Sequence, residues 1–301
     1  MLMQAPDFIL YAQHGWADGH QAMAELAANL ATPETLVITP NLGFVKTWIR
    51  MEPLIQAVEA SVANTIVQYP YVPIRAIGHS MGGLIWIEVL ARHPSWWNRI
   101  ESLVLVGSPI GGADLARAFD PLALGLGIAK DLGTNRRERA EAIAAKIPTL
   151  IIAGDIDNGS DGTVVVQATK VFGAEFIRLP GLDHVALKNH PRVVEAIQKF
   201  WSVTDANILE MDDFTYTVIK RLQTVEGMTD GHERDFERAT VIHTFDNGVT
   251  IRVWRNLMGI EHIFVACSEG SCLYGGFVGW LHTECLAQAL DELKAIDAAL
   301  P

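Results

Sequence analysis

A three-layer α/β architecture with a parallel sheet is predicted for the first two-thirds of this 301-residue chain, followed by a smaller α+β module. Three observations predict it. Short runs rich in Val, Ile and Leu, apolar on both faces, recur through residues 1–201 as buried parallel strands do. Helical patterns separate these runs, so the crossovers are right-handed and helices cover both sheet faces. After Trp201 both pattern and charge change: residues 1–201 carry a net charge of −3 and residues 202–301 carry −9 of the total −12.

In order, the strand candidates are Phe8–Gln13, Thr35–Thr39, Ile74–Gly78, Ser102–Val106, Thr149–Ala153 and Glu175–Leu179. Each is too short for a typical helix and has the aliphatic density of a strand buried on both sides. The intervening helices are Gly19–Leu30, Thr47–Gln68, Met81–His93, Arg136–Lys146 and Pro191–Trp201. In the last third, a helix around Asp212–Val225 leads to Gly227–Gly231, which reads as a turn or linker. Asp246-Asn247-Gly248 between the alternating runs Ala239–Phe245 and Val249–Arg255 is a hairpin signal. Ser268–Ser271 between His262–Cys267 and Cys272–Val278 suggests a second, and Thr283–Ala299 is an amphipathic helix. The domains are thus expected at 1–201 and 202–301, the second of unknown role.

Half of the residues are hydrophobic, enough for a sizeable core. The acidic balance excludes nucleic acid and anionic membrane surfaces as electrostatic partners. Cys267, Cys272 and Cys285 are odd in number and confined to the end of the chain, so no disulfide framework is expected. With His282 they could be read as four zinc ligands, but intervals of 4, 9 and 2 residues match no common zinc knuckle. No basic leader with a cleavage pattern and no apolar run of about 18 residues is present, so a cytoplasmic protein without a transmembrane segment is expected.

The chemistry is carried by Gly78-His79-Ser80-Met81-Gly82, between an apolar strand and a helix. A G-x-S-x-G sequence in that setting is a nucleophile elbow: the serine sits on a strained turn, and glycines flank it because side chains there would collide. The helix N-terminus beneath it offers unpaired N–H groups to a developing oxyanion. Serine needs a base, and the base a carboxylate, in the chain order Ser, Asp, His. His184, in the loop after Glu175–Leu179, is the base candidate. The loop after Thr149–Ala153 holds three acids: Asp161 within Asp-Gly-Thr-Val, then Asp157, then Asp155 as a turn residue. These residues follow the carboxyl ends of strands, where open α/β sheets place their sites. The oxyanion donors are expected to be the N–H groups of Met81 and of Trp16, in the loop Gln13–Asp18, with His14 bracing that loop. The elbow should turn His79 away, and His190 reads as a surface residue.

These motifs, with Gly107-Ser108-Pro109-Ile110-Gly111-Gly112, resemble the α/β-hydrolase superfamily and, within it, small bacterial lipases and esterases. The likeness covers residues 8–200. Ile110 stands where the lipase pattern has His. The resemblance implies a minimal six-stranded sheet without the family's first hairpin. It also implies a reduced cap region between Ser108 and Pro148, where the apolar, glycine-rich stretch Phe119–Gly133 suggests a short lid or pocket wall.

The expectation is therefore a lipase- or esterase-like serine hydrolase using Ser80, His184 and Asp161 on small-molecule or lipid esters, with no cofactor or metal. The same residues would also serve a thioesterase or an acyltransferase. A non-catalytic binding protein on the fold, and a C-terminal module that recruits a protein partner, are the other readings.

Overall fold

The computed structural model describes residues 5–112, 128–202 and 213–299. Two compact units divide the chain, residues 1–209 and 210–301. No helix among the described residues is long and apolar enough to cross a membrane.

In the first unit, β1 (Ile9–Gln13), β2 (Leu36–Ile38), β3 (Ile74–His79), β4 (Ile100–Val106), β5 (Thr149–Asp155) and β6 (Glu175–Pro180) form one sheet in the order β2-β1-β3-β4-β5-β6. Every pairing is parallel. The helices are α1 (Gln21–Leu30), α2 (Glu52–Gln68), α3 (Met81–Arg92), α4 (Ile128–Leu132), α5 (Arg137–Ala144), α6 (Val166–Thr169) and α7 (Pro191–Ser202). Side chains of a strand alternate between faces, and β1 feeds two cores accordingly. Ile9 and Tyr11 pack with residues of α2, α3 and α5, while Phe8, Leu10 and Ala12 pack with residues of α1 and α7. The edge strands β2 and β6 are largely half-buried, whereas β5 is buried throughout.

One helix differs from the sequence reading at its start. A 3₁₀ turn covers Phe44–Trp48, and α2 starts only at Glu52, with Pro53 in its first turn where a missing N–H costs nothing. Trp97 closes the far end of α3, its Nε1–H donating to Leu90 O at 2.8 Å. In mid-α3, Glu88 accepts from Arg136 Nε at 2.8 Å and Arg139 Nη1 at 2.7 Å, and Arg136 is buried. Of the stretch Phe119–Gly133 proposed as a lid or pocket wall, residues 119–127 lie outside the described residues; α4 belongs to its end.

In the second unit, α8 (Asp213–Gln223) precedes an antiparallel sheet of β7 (Met228–Asp230), β8 (Thr240–Thr244), β9 (Thr250–Arg255), β10 (Glu261–Ala266) and β11 (Cys272–Val278), followed by α9 (Thr283–Ala299). The order is β7-β11-β10-β9-β8. Both predicted hairpins form. The segment read as a turn or linker does not stay one: Met228–Asp230 pairs with Gly276–Val278 as an edge strand. Three residues carry no alternation to read, and the partner strand decides their state. Ile263, Phe264, Val265 and Ala266 are all fully buried, so both faces of β10 are covered.

Candidate active site

In the order β2-β1-β3, the connection from β1 runs to one side and β3 returns on the other. This is a topological switch point, where the loops beyond the carboxyl ends of adjacent strands part and leave a crevice. The loop after β1 and the elbow after β3 flank it.

Ser80 caps α3 with φ 54° and ψ −125°, a left-handed conformation rare for a residue with a side chain. Its N–H donates to Val106 O at 2.8 Å, tying the elbow to β4. A Cβ on Gly78 would lie 2.4 Å from Gly83 N, a collision across the turn as expected. Gly82 is constrained differently: a Cβ there would lie 2.4 Å from Gln13 O and 2.8 Å from His14 O. The loop after β1 thus rests directly on the N-terminus of α3. Met81 opens that helix, so its N–H has no intrahelical acceptor.

The loop after β1 is braced as well as close. Leu42 N–H donates to His14 Nε2 at 3.1 Å, which leaves the proton on Nδ1, 3.0 Å from Gly15 O. His14 is fully buried, and desolvation holds its pKa below the ordinary value. The next residues bend sharply, Ala17 adopting φ 51°, and Ala17 N–H donates to Thr47 Oγ1 at 3.1 Å. Nothing in the sequence marked Thr47 for this.

His184 Nε2 lies 3.0 Å from Ser80 Oγ, and His184 Nδ1 lies 2.6 Å from Asp161 Oδ2. Residues 80, 161 and 184 thus form one hydrogen-bonded chain, although they sit on three loops after β3, β5 and β6. Asp161 is buried, and its other oxygen accepts from Thr163 N at 2.9 Å and Val164 N at 2.7 Å. His184 N–H also donates to Asp161 O at 3.0 Å, fixing one loop to the other. The remaining acids are engaged elsewhere. Asp157 Oδ1 accepts from the backbone and hydroxyl of Ser160, and Asp155 binds Gly159 N and Arg178 Nε. His190 Nδ1 accepts from Arg192 N at the start of α7.

His79 was expected to point away, and instead it packs on the base. Its Nε2 lies 3.0 Å from His184 O, and the two rings are 4.7 Å apart. Full burial keeps it neutral, its pKa far below the ordinary imidazole value, so Nε2 is the donor to that carbonyl. A cleft of about 220 Å³ opens onto Ser80 and His184, walled by Trp16, Pro109, Leu132 and Val185. Asp18 and Lys188 also border it and are ion-paired at 2.7 Å.

No protein-family model and no curated protein matches the chain. Solved structures do. It is similar to a bromoperoxidase from Bacillus anthracis at 16% identity, over 66% of this chain and 94% of that one, with a TM-score of 0.50. It is similar to the lipase BlEst2 from Bacillus licheniformis at 17% identity, over 65% and 91%, with a TM-score of 0.49. Est1E from Butyrivibrio proteoclasticus matches at 16% identity, over 66% and 89%, also at 0.49. The likeness to the bromoperoxidase, taken with the six parallel strands, their order and the turn after β3, identifies the fold of the first unit as that of the α/β hydrolases.

Proposed function

We propose that the first unit is a serine hydrolase that cleaves carboxylic esters through an acyl-enzyme. The observation that carries this reading is the continuous hydrogen-bonded chain Ser80 Oγ–His184 Nε2 and His184 Nδ1–Asp161 Oδ2, opening onto a cleft. In the reading, Ser80 Oγ attacks the ester carbonyl while His184 Nε2 takes its proton. The tetrahedral oxyanion is held by the N–H groups of Met81 and Trp16, a contribution typically worth about two to three orders of magnitude in rate per donor. His184 then hands the proton to the departing alcohol. A water molecule, deprotonated by the same imidazole, attacks the acyl group, and Ser80 leaves with the proton returned.

Asp161 orients the imidazole and stabilises its charged form. Its second oxygen is saturated by two backbone N–H groups, so the carboxylate cannot rotate away from His184. Positioning of this kind is what separates a working triad from three polar residues that merely lie near one another.

The test is labelling by a fluorophosphonate, followed by turnover of p-nitrophenyl esters from acetate to palmitate with a thioester beside them. Wild-type labelling that is lost in Ser80→Ala, with oxygen esters turned over faster than the thioester, is expected. No labelling of the wild type would overturn the reading, and preference for the thioester would move it to thioester cleavage.

A further inference from the structure

Outside the cleft, one group of metal-ligating side chains converges in the second unit among the described residues. Glu226 lies in the turn between α8 and β7, His282 in the 3₁₀ turn Trp280–His282 after β11, and Cys285 in the first turn of α9. Their ligand atoms all lie within 4.8 Å of one another, and Glu226 Oε1 is 3.9 Å from His282 Nδ1.

We infer that Glu226, His282 and Cys285 form a binding site for a divalent ion of the zinc class. The donor set is one thiolate, one imidazole and one carboxylate, a mixture that suits zinc and disfavours the hard ions magnesium and calcium. Bond lengths of about 2.0–2.3 Å place tetrahedral ligand atoms roughly 3.4–3.7 Å apart. The cluster closes to that spacing by a shift of about an ångström. The Glu226 side chain, 78% exposed, has the freedom to make it. The His282 ring does not need to move: it is seated against the backbone beside Glu226, where a Cβ on Gly227 would fall 2.2 Å from Cδ2. His282 and Cys285 are three residues apart where the 3₁₀ turn runs into α9, so they present one face to Glu226.

The ligand set differs from the four residues that the sequence groups together. Cys267 and Cys272 flank the turn at the other end of β11, and a carboxylate from a distant turn stands with His282 and Cys285 in their place. The position of that carboxylate gives the ion a purpose. Joining residue 226 to residue 285 closes a loop of roughly 60 residues that holds the whole antiparallel sheet, and longer closed loops remove more freedom from the unfolded chain. The ion would clasp the two ends of the sheet segment.

The experiment uses the full, untagged chain, reduced and stripped of metal, with cobalt(II) as the spectroscopic probe and zinc as the stabilising ion. Binding should give a thiolate-to-cobalt charge-transfer band at one ion per chain, and zinc should raise the thermal midpoint by several degrees. Cys285→Ser should remove the band, and Glu226→Gln and His282→Asn should each weaken cobalt binding by at least about tenfold. A Cys267→Ser/Cys272→Ser double variant should keep both signals, as should Ser80→Ala. The inference is overturned if wild type gives no band, if the band survives Cys285→Ser, or if it vanishes in the Cys267/Cys272 double variant.

Discussion

The two units bring their candidate functional groups together by opposite routes. In the first, each parallel strand is followed by a crossover, and the loops that leave the sheet at one edge come from residues 80, 161 and 184. Parallel topology therefore brings remote residues to a common line. In the second, hairpins join neighbouring strands, so most contacts across the sheet are between residues close in sequence. Remote residues also meet where the chain enters and leaves the sheet, as Glu226 does with His282 and Cys285. Burial differs at the sheet edges. The edge strands β2 and β6 of the first sheet are largely half-buried, while the edge strand β8 of the second is largely exposed.

The most drastic way to probe this contrast is Ser80→Ala. It should lower kcat for ester hydrolysis by about 10⁶-fold, since a triad nucleophile has no substitute, and leave cobalt binding by the second unit unchanged. Asp161→Asn should cost about 10⁴-fold in kcat by leaving His184 in the wrong tautomer, whereas Asp157→Asn should change it by less than about tenfold. Equal losses in the two variants would mean that the acid is shared or misassigned. Glu88→Ala addresses the frame rather than the chemistry. It leaves the buried Arg136 guanidinium without its carboxylate, and denaturant unfolding should show a loss of about 3–5 kcal/mol.

The smallest effect is the pH dependence of stability. His14 and His79 are buried, and desolvation holds both below the ordinary value of 6.5, so the unfolded chain binds protons first. Stability is complete above about pH 6.5 and falls as pH drops toward the depressed native values, at no more than about 1.4 kcal/mol per pH unit for each histidine. In the second unit His262 is shifted the same way but is half-buried, so its share is smaller. Unfolding midpoints between pH 5 and 7 should flatten in His79→Gln; an unchanged slope would remove His79 from this account.

The central strands of the first sheet were legible because a strand buried on both faces is apolar at nearly every position, and runs such as Thr149–Ala153 are too short for a typical helix. The elbow was legible because its glycines and its place after a strand are steric necessities. Three things were not. Met228–Asp230 is too short to carry a pattern. The bond from Thr47 to Ala17 N–H joins loops 30 residues apart through one hydroxyl, with no local signature. His79 was expected to turn away because the elbow sets its direction but says nothing of what the loop after β6 will bring to meet it.

The elbow holds its shape through backbone: the left-handed φ at position 80, the N–H bonded to Val106 O, and the crowding at Gly78 and Gly82 all persist whatever side chain Ser80 carries. The first unit thus offers a fixed socket facing an imidazole, into which a different reactive atom can be fitted. A thiol introduced as Ser80→Cys would occupy the same address, offering acyl or alkylating reagents an acceptor there without rebuilding anything around it.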